Sequence, residues 1–335
     1  MTASIPHIWR NRLGAGRSVL RLLGRYVAVL LFAATLSFAL VHLAPGDAAT
    51  VMAGEQGAAD ATYMAQLREE FGLDRPLAEQ FAVYTGRLAQ LDLGYSYRYQ
   101  RTVLSLVAER LPATLLLTAT AFLLALGMGI AVGVLGAMKA GTFVDVAIGA
   151  AGLVAYATPS FWAAMLAVLV FSDWLGWLPA FGMGTVGVEG LPALADIAAH
   201  LVLPAATLAL FHAAAYAQMT RAAMAHVLAQ DYIRTALAKG VSRTRLALSH
   251  ALRNALLPVL TLAGLQASML LGGSVLVETV FAWPGLGRLA FEALQARDIN
   301  LLLGIFLVTS ALVVAVNLLV DAAYRLADPR IGAGP

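Results

Sequence analysis

Long apolar runs alternate with shorter polar segments along the whole chain. Each run has the length, about 20 residues, that a helix needs to cross the hydrocarbon core of a membrane. The runs are continuously apolar rather than alternating, which favours helices over the strands of a membrane barrel. We therefore predict an all-α polytopic membrane protein with six transmembrane helices. The predicted spans are 26–43, 111–138, 146–171, 201–220, 259–277 and 299–324.

The composition is typical of this class. The chain has 335 residues, of which 60% are hydrophobic and 12% are charged, whereas soluble domains carry about 25% charged residues. The net charge is +3, and the basic residues lie in a few short segments. That clustering is expected of cytoplasmic loops beside a lipid bilayer, and we predict no nucleic-acid partner.

Charge also predicts the orientation of the chain. Residues 1–25 contain five arginines and no acidic residue, so we predict that they form a cytoplasmic tail. A cleaved signal peptide is the alternative, but its apolar core usually has about 7–15 residues, fewer than the run at 26–43. With six spans, the C-terminal tail 325–335 is expected in the cytoplasm as well.

Two longer polar segments are expected on the outer side. The segment 44–110 has more acidic than basic residues, and we predict an extracytoplasmic subdomain there, with helical stretches at 63–71 and 77–91. The segment 172–200 has no lysine or arginine, which also favours the outside. The five remaining spans then form one transmembrane domain over 111–324.

Several kinds of site are absent from the sequence. It has no cysteine, which excludes disulfides and thiolate sites, and it has neither a P-loop nor an HExxH motif. No span holds the pair of carboxylates that an intramembrane aspartyl protease needs. Residues 182–187 match GxGxxG, but no βαβ pattern surrounds them, as a dinucleotide site requires. We predict that the chain is not an enzyme and binds no cofactor or metal itself.

Three features lie inside the predicted spans. Pro159 interrupts the third span and is expected to kink its helix. Gly129 and Gly133 form a small-residue step that allows another helix to approach closely. His212 lies in the fourth span, where both a neutral histidine hydrogen-bonded between helices and a functional ionisable group remain open.

A polar island at 221–255 separates the fourth and fifth spans. It holds six basic residues and one acidic residue, Asp231. Its apolar residues recur at helical spacing. Gly240 supplies a left-handed residue where one helix ends, and Ser242 is placed to cap a second helix. We predict two short amphipathic helices on the cytoplasmic face, with an ordinary basic loop as the alternative.

The string from Asp231 to Gly240, followed by 250–258, resembles the cytoplasmic "EAA" loop of bacterial ABC importer permeases, in their dipeptide/oligopeptide branch. Arg234 stands where the general motif has Glu. The resemblance implies a type I ABC importer permease fold and a loop that docks on a separate ATPase. The coupling residues that it implies are Asp231, Tyr232, Arg234, Thr235, Ala236, Lys239, Gly240, Ser242, Arg243 and Pro258.

An outer segment at 278–288 follows the fifth span. Its proline and glycines are predicted to end the helix, and Trp283 suits a membrane–water boundary. The string resembles the outer loop of peptide permeases, which implies a gate or a binding-protein contact; a rigid interfacial turn is the alternative. The residues concerned are Glu278, Trp283, Pro284, Gly285, Gly287 and Arg288.

The resemblance implies a permease subunit that imports di- or oligopeptides. The implied partners are a second permease subunit, two cytoplasmic ABC ATPase domains that bind ATP and Mg, and an extracytoplasmic substrate-binding protein. Import of a nickel chelate, glutathione or another small solute is an alternative within the same architecture. An ion-coupled secondary transporter is an alternative of another class, against which the lack of clustered acids in the spans argues. An intramembrane enzyme is a third.

Overall fold

The computed structural model describes residues 7–43, 74–96 and 98–327. These residues are mostly helical, as predicted, with one short hairpin of two residues in each strand. The predicted helix at 63–71 lies outside the described residues. The elements are α1 His7–Leu43, α2 Leu77–Ala89, β1 Tyr95–Ser96, β2 Arg101–Thr102, α3 Val103–Met138, α4 Phe143–Ala157, α5 Ser160–Trp174, α6 Leu191–Leu228, α7 Asp231–Ala238, α8 Arg243–Val280, α9 Leu286–Gln295 and α10 Ile299–Ala327.

Four of these helices, α3, α6, α8 and α10, are long and apolar enough to cross a membrane. Helices α4 and α5 meet the same criterion together, but they are bent by 105° at the break that holds Pro159. Helix α1 contains a shorter apolar stretch, Gly24–Leu40. The described residues thus contain five candidate spans with the bent pair counted as one, and the number six stays a prediction.

The helices extend beyond the apolar runs that predicted them. Helix α3 begins at Val103 rather than at 111, and α6 begins at Leu191, inside the segment predicted to be an outer loop. Hydropathy marks only the apolar part of a helix, whereas main-chain hydrogen bonding continues through polar residues. The helices are therefore longer than the apolar runs, and the limits of the spans themselves stay predictions.

The chain divides into two compact units, of which the first comprises residues 1–107 and 293–314. In this unit α2 packs on α1, where the ring of Phe38 lies 5.2 Å from that of Phe81. The β1–β2 hairpin is fixed to the start of α10, because the Ser96 hydroxyl donates to the Asp298 carboxylate. Asp298 also accepts a hydrogen bond from the main-chain N–H of Leu301 at 3.0 Å and so caps α10.

The second unit comprises residues 108–292 and 315–335. Its core lies among α3, α5, α6 and α8. Gly129 and Gly133 of α3 lie directly against α6, where added Cβ atoms would stand 2.5 Å from the Cβ atoms of Tyr216 and Thr220. The predicted small-residue step is thus a close helix–helix contact. It fixes α6, the helix that leads into the polar island, against α3.

Candidate functional site

The polar island folds into the predicted helix–turn–helix. Helix α7 ends in a Schellman motif, with Val241 N–H bonded to Ala236 O at 3.2 Å and Gly240 N–H to Leu237 O at 2.9 Å. Gly240 has φ +82°, a left-handed conformation that glycine adopts without steric strain. The Ser242 side chain then caps α8. The predicted turn at Gly240 and cap at Ser242 are confirmed.

Helix α7 is seated on the first turns of α8. Ile233 is its buried residue, 1% exposed. The Tyr232 hydroxyl accepts a hydrogen bond from the Asn254 side-chain amide of α8 at 2.8 Å. These two contacts, with the tight turn at Gly240, join α7 firmly to the helix that follows.

The opposite face of α7 is exposed and polar. Asp231 and Arg234 lie on it at 98% and 77% side-chain exposure, with a loose ion pair of 3.9 Å between them. Thr235, Lys239 and Arg243 are exposed close by, on α7, the turn and the start of α8. Ala236 is partly buried beneath them.

Pro258 is the exception among the predicted coupling residues. It lies inside α8, about four helical turns beyond Ser242. The structure therefore brings the other coupling residues together around the turn at Gly240 and leaves Pro258 farther along α8. Between Ser242 and Pro258, residues Leu246–Ala251 form a π-helix, which no feature of the sequence predicts.

Arg221, the first basic residue of the polar island, is already paired. Its guanidinium donates to both oxygens of the Asp145 carboxylate in α4, with Nη2 and Oδ2 2.8 Å apart. The same carboxylate accepts a hydrogen bond from Gly141 N–H at 3.0 Å. Asp145 lies between the predicted spans 111–138 and 146–171, and no feature of the sequence indicates its pairing with Arg221.

The outer segment is built around a completely buried carboxylate. Glu278 lies near the end of α8 at 0% exposure. Its oxygens accept hydrogen bonds from the Thr114 hydroxyl at 2.9 Å and from the main-chain N–H groups of Gly287 and Arg288 at 2.7 and 3.1 Å. A carboxylate at this place satisfies the free N–H groups at the start of α9. Glu278 therefore links α8, α9 and α3.

Trp283 is enclosed by protein, and its place relative to the membrane boundary stays a prediction. It is 0% exposed, and its indole N–H donates to the main-chain oxygen of Ala113 at 2.8 Å. Pro284 and Gly285 form the turn between α8 and α9, where the predicted helix break is confirmed. Gly287 and Arg288 lie beyond this turn, in the first turn of α9.

Residues 129–333 match the family described as "Binding-protein-dependent transport system inner membrane component". Residues 17–118 match its companion, "Binding-prot-dependent transport system membrane comp, N-term". The chain belongs to this permease family. It is a multi-pass permease of the inner membrane.

Curated relatives resemble the permease over almost its whole length. It is 42% identical to the putative peptide transport system permease protein of Brucella suis biovar 1, over 93% of this chain and 98% of the relative. It is 40% identical, with the same coverage, to the dipeptide transport system permease protein DppB of Escherichia coli K12. The di/tripeptide transport system permease protein DppB of Pseudomonas aeruginosa is 39% identical, again with the same coverage.

A solved structure supports the fold. The methionine ABC transporter MetNI, in an inward-facing conformation, aligns with a TM-score of 0.54 and 18% sequence identity. The alignment covers 67% of this permease and 97% of that chain. The permease therefore has the predicted ABC importer fold.

Two polar features lie within the spans of the permease. His212 Nδ1 stands 3.0 Å from Gln266 Oε1, which agrees with a histidine hydrogen-bonded between α6 and α8. A cavity of about 340 Å³ opens between α8 and α10 and is lined in part by Ser268, Asn317 and Asp321. Polar side chains at membrane depth usually face protein or water rather than lipid.

Proposed function

We propose that this permease is the membrane-spanning subunit of an ABC importer that moves di- or oligopeptides from an external binding protein into the cytoplasm. Separate ATPase subunits bind ATP and Mg and drive the transport, and a second permease subunit completes the pathway. Both termini and α7 lie on the cytoplasmic side. The observation that carries this proposal is the exposed polar face of α7 on a helix that is otherwise held rigidly.

The rigidity of α7 makes it suitable as a lever. Its buried Ile233, the hydrogen bond between Tyr232 and Asn254, and the tight turn at Gly240 restrict its motion relative to α8. Only Ala229 and Gln230 separate α7 from the end of α6. A displacement of α7 would therefore be passed to two membrane-spanning helices at once.

The exposed face supplies the contact with the ATPase. Arg234, Lys239 and Arg243 give it an excess of positive charge, which favours an acidic cleft on the partner. When ATP draws the two ATPase domains together, α7 follows its cleft. The pathway then switches between two conformations whose populations nucleotide controls.

Peptides are the substrate class that the relatives favour. The curated relatives described above are named as peptide, dipeptide or di/tripeptide permeases. None of those names refers to nickel or glutathione. The family description also specifies dependence on a binding protein, which argues against a secondary transporter that acts alone.

Substitution of Gly240 by Val tests the lever. A β-branched residue in a left-handed conformation costs about 1–2 kcal/mol, so the turn should open and α7 should lose its position. We expect loss of peptide-stimulated ATP hydrolysis and of labelled dipeptide uptake in vesicles that hold the whole complex. Gly176→Val is the matched control, because Gly176 also has a positive φ, +61°, with open space around it.

Unchanged hydrolysis and uptake in the Gly240→Val complex would exclude the lever. The substrate is tested separately, by uptake of labelled dipeptide, labelled glutathione and labelled nickel chelate in vesicles that hold the unaltered complex. ATP-driven uptake of glutathione or nickel chelate without uptake of dipeptide would exclude peptides as the substrate class.

A further inference from the structure

We propose that Asp145 and Arg221 are a positioning pair that makes the bent α4–α5 span move together with the helix that carries α7. This inference rests on the function proposed above. It concerns residues outside the coupling surface, and it assigns a role to the break at Pro159.

The geometry of the pair is that of a strong link. Arg221 binds Asp145 with two nitrogens, the arrangement that gives an arginine–carboxylate pair both strength and a fixed orientation. Asp145 is only 7% exposed, whereas the Arg221 side chain is 40% exposed. Water therefore screens the pair in part, and its two-nitrogen geometry is what fixes the orientation. The Cδ atom of Arg221 lies 3.3 Å from the position of a Cβ added to Gly136, so the arginine stem is held against α3.

The pair also fixes the turn between α3 and α4. Asp145 accepts the main-chain N–H of Gly141, whose φ of +76° makes the sharp reversal possible. One carboxylate therefore holds the α3–α4 turn, the first turn of α4 and the lower part of α6. A motion of α6 at this level must move α4 or break the pair.

Arg221 lies in the part of α6 that a displacement of α7 would move. It is seven residues before the end of α6 at Leu228, about 10 Å along the helix. Around it, α3, α6 and α8 share an apolar cluster that includes Val134, Met224 and Ala251. These three helices form the body on which α7 sits, and the ion pair adds α4 to that body.

Helix α4 connects the ion pair at Asp145 to the break at Thr158 and Pro159. Further along it, Tyr156 stacks on Phe211 of α6, with ring centroids 4.7 Å apart. The chain then bends by 105° at Thr158 and Pro159. A small rotation of α4 would therefore be passed to the break that separates it from α5.

Asp145→Asn and Arg221→Gln test the pair in the complete complex of permeases, ATPases and binding protein. Asparagine keeps the oxygen that accepts the Gly141 N–H but removes the charge. We expect ATP hydrolysis to persist while dipeptide transported per ATP hydrolysed falls about tenfold, the size of effect that such coupling networks carry. The double variant should show no further fall, because the two residues act as one unit.

Lys139→Gln is the matched control. Lys139 lies in the turn between α3 and α4 and has the same charge as Arg221. In Lys139→Gln, the amount of dipeptide transported per ATP hydrolysed should not change. If Asp145→Asn prevents assembly of the complex, Arg221→Lys tests the pair instead, because lysine keeps the charge but not the two-nitrogen geometry. We expect the amount of dipeptide transported per ATP hydrolysed to fall severalfold in this variant.

Three results would overturn the proposal: an unchanged ratio in an assembled Asp145→Asn complex, an unchanged ratio in Arg221→Lys, or additive losses in the double variant. Each is distinct from failure of the proposed function, because that failure would appear as absent ATP-driven dipeptide uptake by the unaltered complex.

Discussion

Gly285 offers the sharpest test of the buried carboxylate in the outer segment. An added Cβ at this position would stand 2.5 Å from both the Glu278 carboxyl carbon and the Thr114 hydroxyl, and closer still to Glu278 Oε2. Real Cβ atoms essentially never approach other atoms within 3.0 Å. Gly285→Ala should therefore push the carboxylate away from the N–H groups at the start of α9.

The size of the effect follows from two contributions. Overpacking of a buried site costs about 1–3 kcal/mol, and the loss of one hydrogen bond to a charged group costs about 1.5–3 kcal/mol. Since Glu278 and Thr114 are both buried, water cannot replace the lost partner. We expect the free energy of unfolding to fall by about 2.5–6 kcal/mol, which is a large share of the total for a typical domain.

Hydrogen exchange of the purified permease complex in nanodiscs measures this locally. The Gly287 and Arg288 amides, which donate to Glu278, should exchange much faster in Gly285→Ala, and the melting temperature should fall. Gly127→Ala is the control, because a Cβ at Gly127 in α3 meets open space. Normal exchange at Gly287 and Arg288 together with normal melting would refute the reasoning.

Three further substitutions test other contacts of the second unit. Gly133→Leu places a Cβ 2.5 Å from that of Thr220 and should lower stability by about 1–3 kcal/mol; an unchanged melting temperature would contradict the close approach. Ser242→Ala removes the acceptor of the Arg245 N–H and should cost about 1 kcal/mol, seen as faster exchange in the first turn of α8 and nowhere else. Trp283→Phe leaves a buried main-chain oxygen of α3 without its donor and should cost about 1–3 kcal/mol; equal melting of variant and parent would show that the hydrogen bond contributes nothing.

Local features of the polar island could be predicted because their causes are local. The end of α7 needs a left-handed residue, and Gly240 is the glycine at that place. The start of α8 needs a side-chain acceptor, and Ser242 stands three residues before the N–H that it caps. Both requirements are visible within a dozen residues of sequence.

The contacts that fix these elements in space could not be predicted in the same way. Asp145 and Arg221 are 76 residues apart, and Glu278 and Thr114 are 164 residues apart. No periodic pattern relates residues at such distances. For Trp283, the amphipathic ring fits both a membrane boundary and a buried site with an acceptor, and only the fold shows that Ala113 supplies the acceptor.

The carboxylates of Asp145 and Glu278 have similar arrangements of hydrogen-bond donors. Asp145 and Glu278 each accept main-chain N–H groups of a turn or helix start and a side-chain donor of another helix. Glu278 bonds to Thr114, about three turns into α3, whereas Arg221, the partner of Asp145, packs on Gly136 close to the end of α3.

Their donors differ in charge. Glu278 has neutral donors and is completely buried, so its contact with α3 is fixed whatever the charge of the surroundings. Asp145 is bound to a cation, and separating the pair would leave its largely buried carboxylate without that partner. The pair therefore resists separation of α4 from α6 and still allows the two helices to move as one. That difference favours a fixed segment at 278–288 and an end of α6, at Arg221, that moves together with α4.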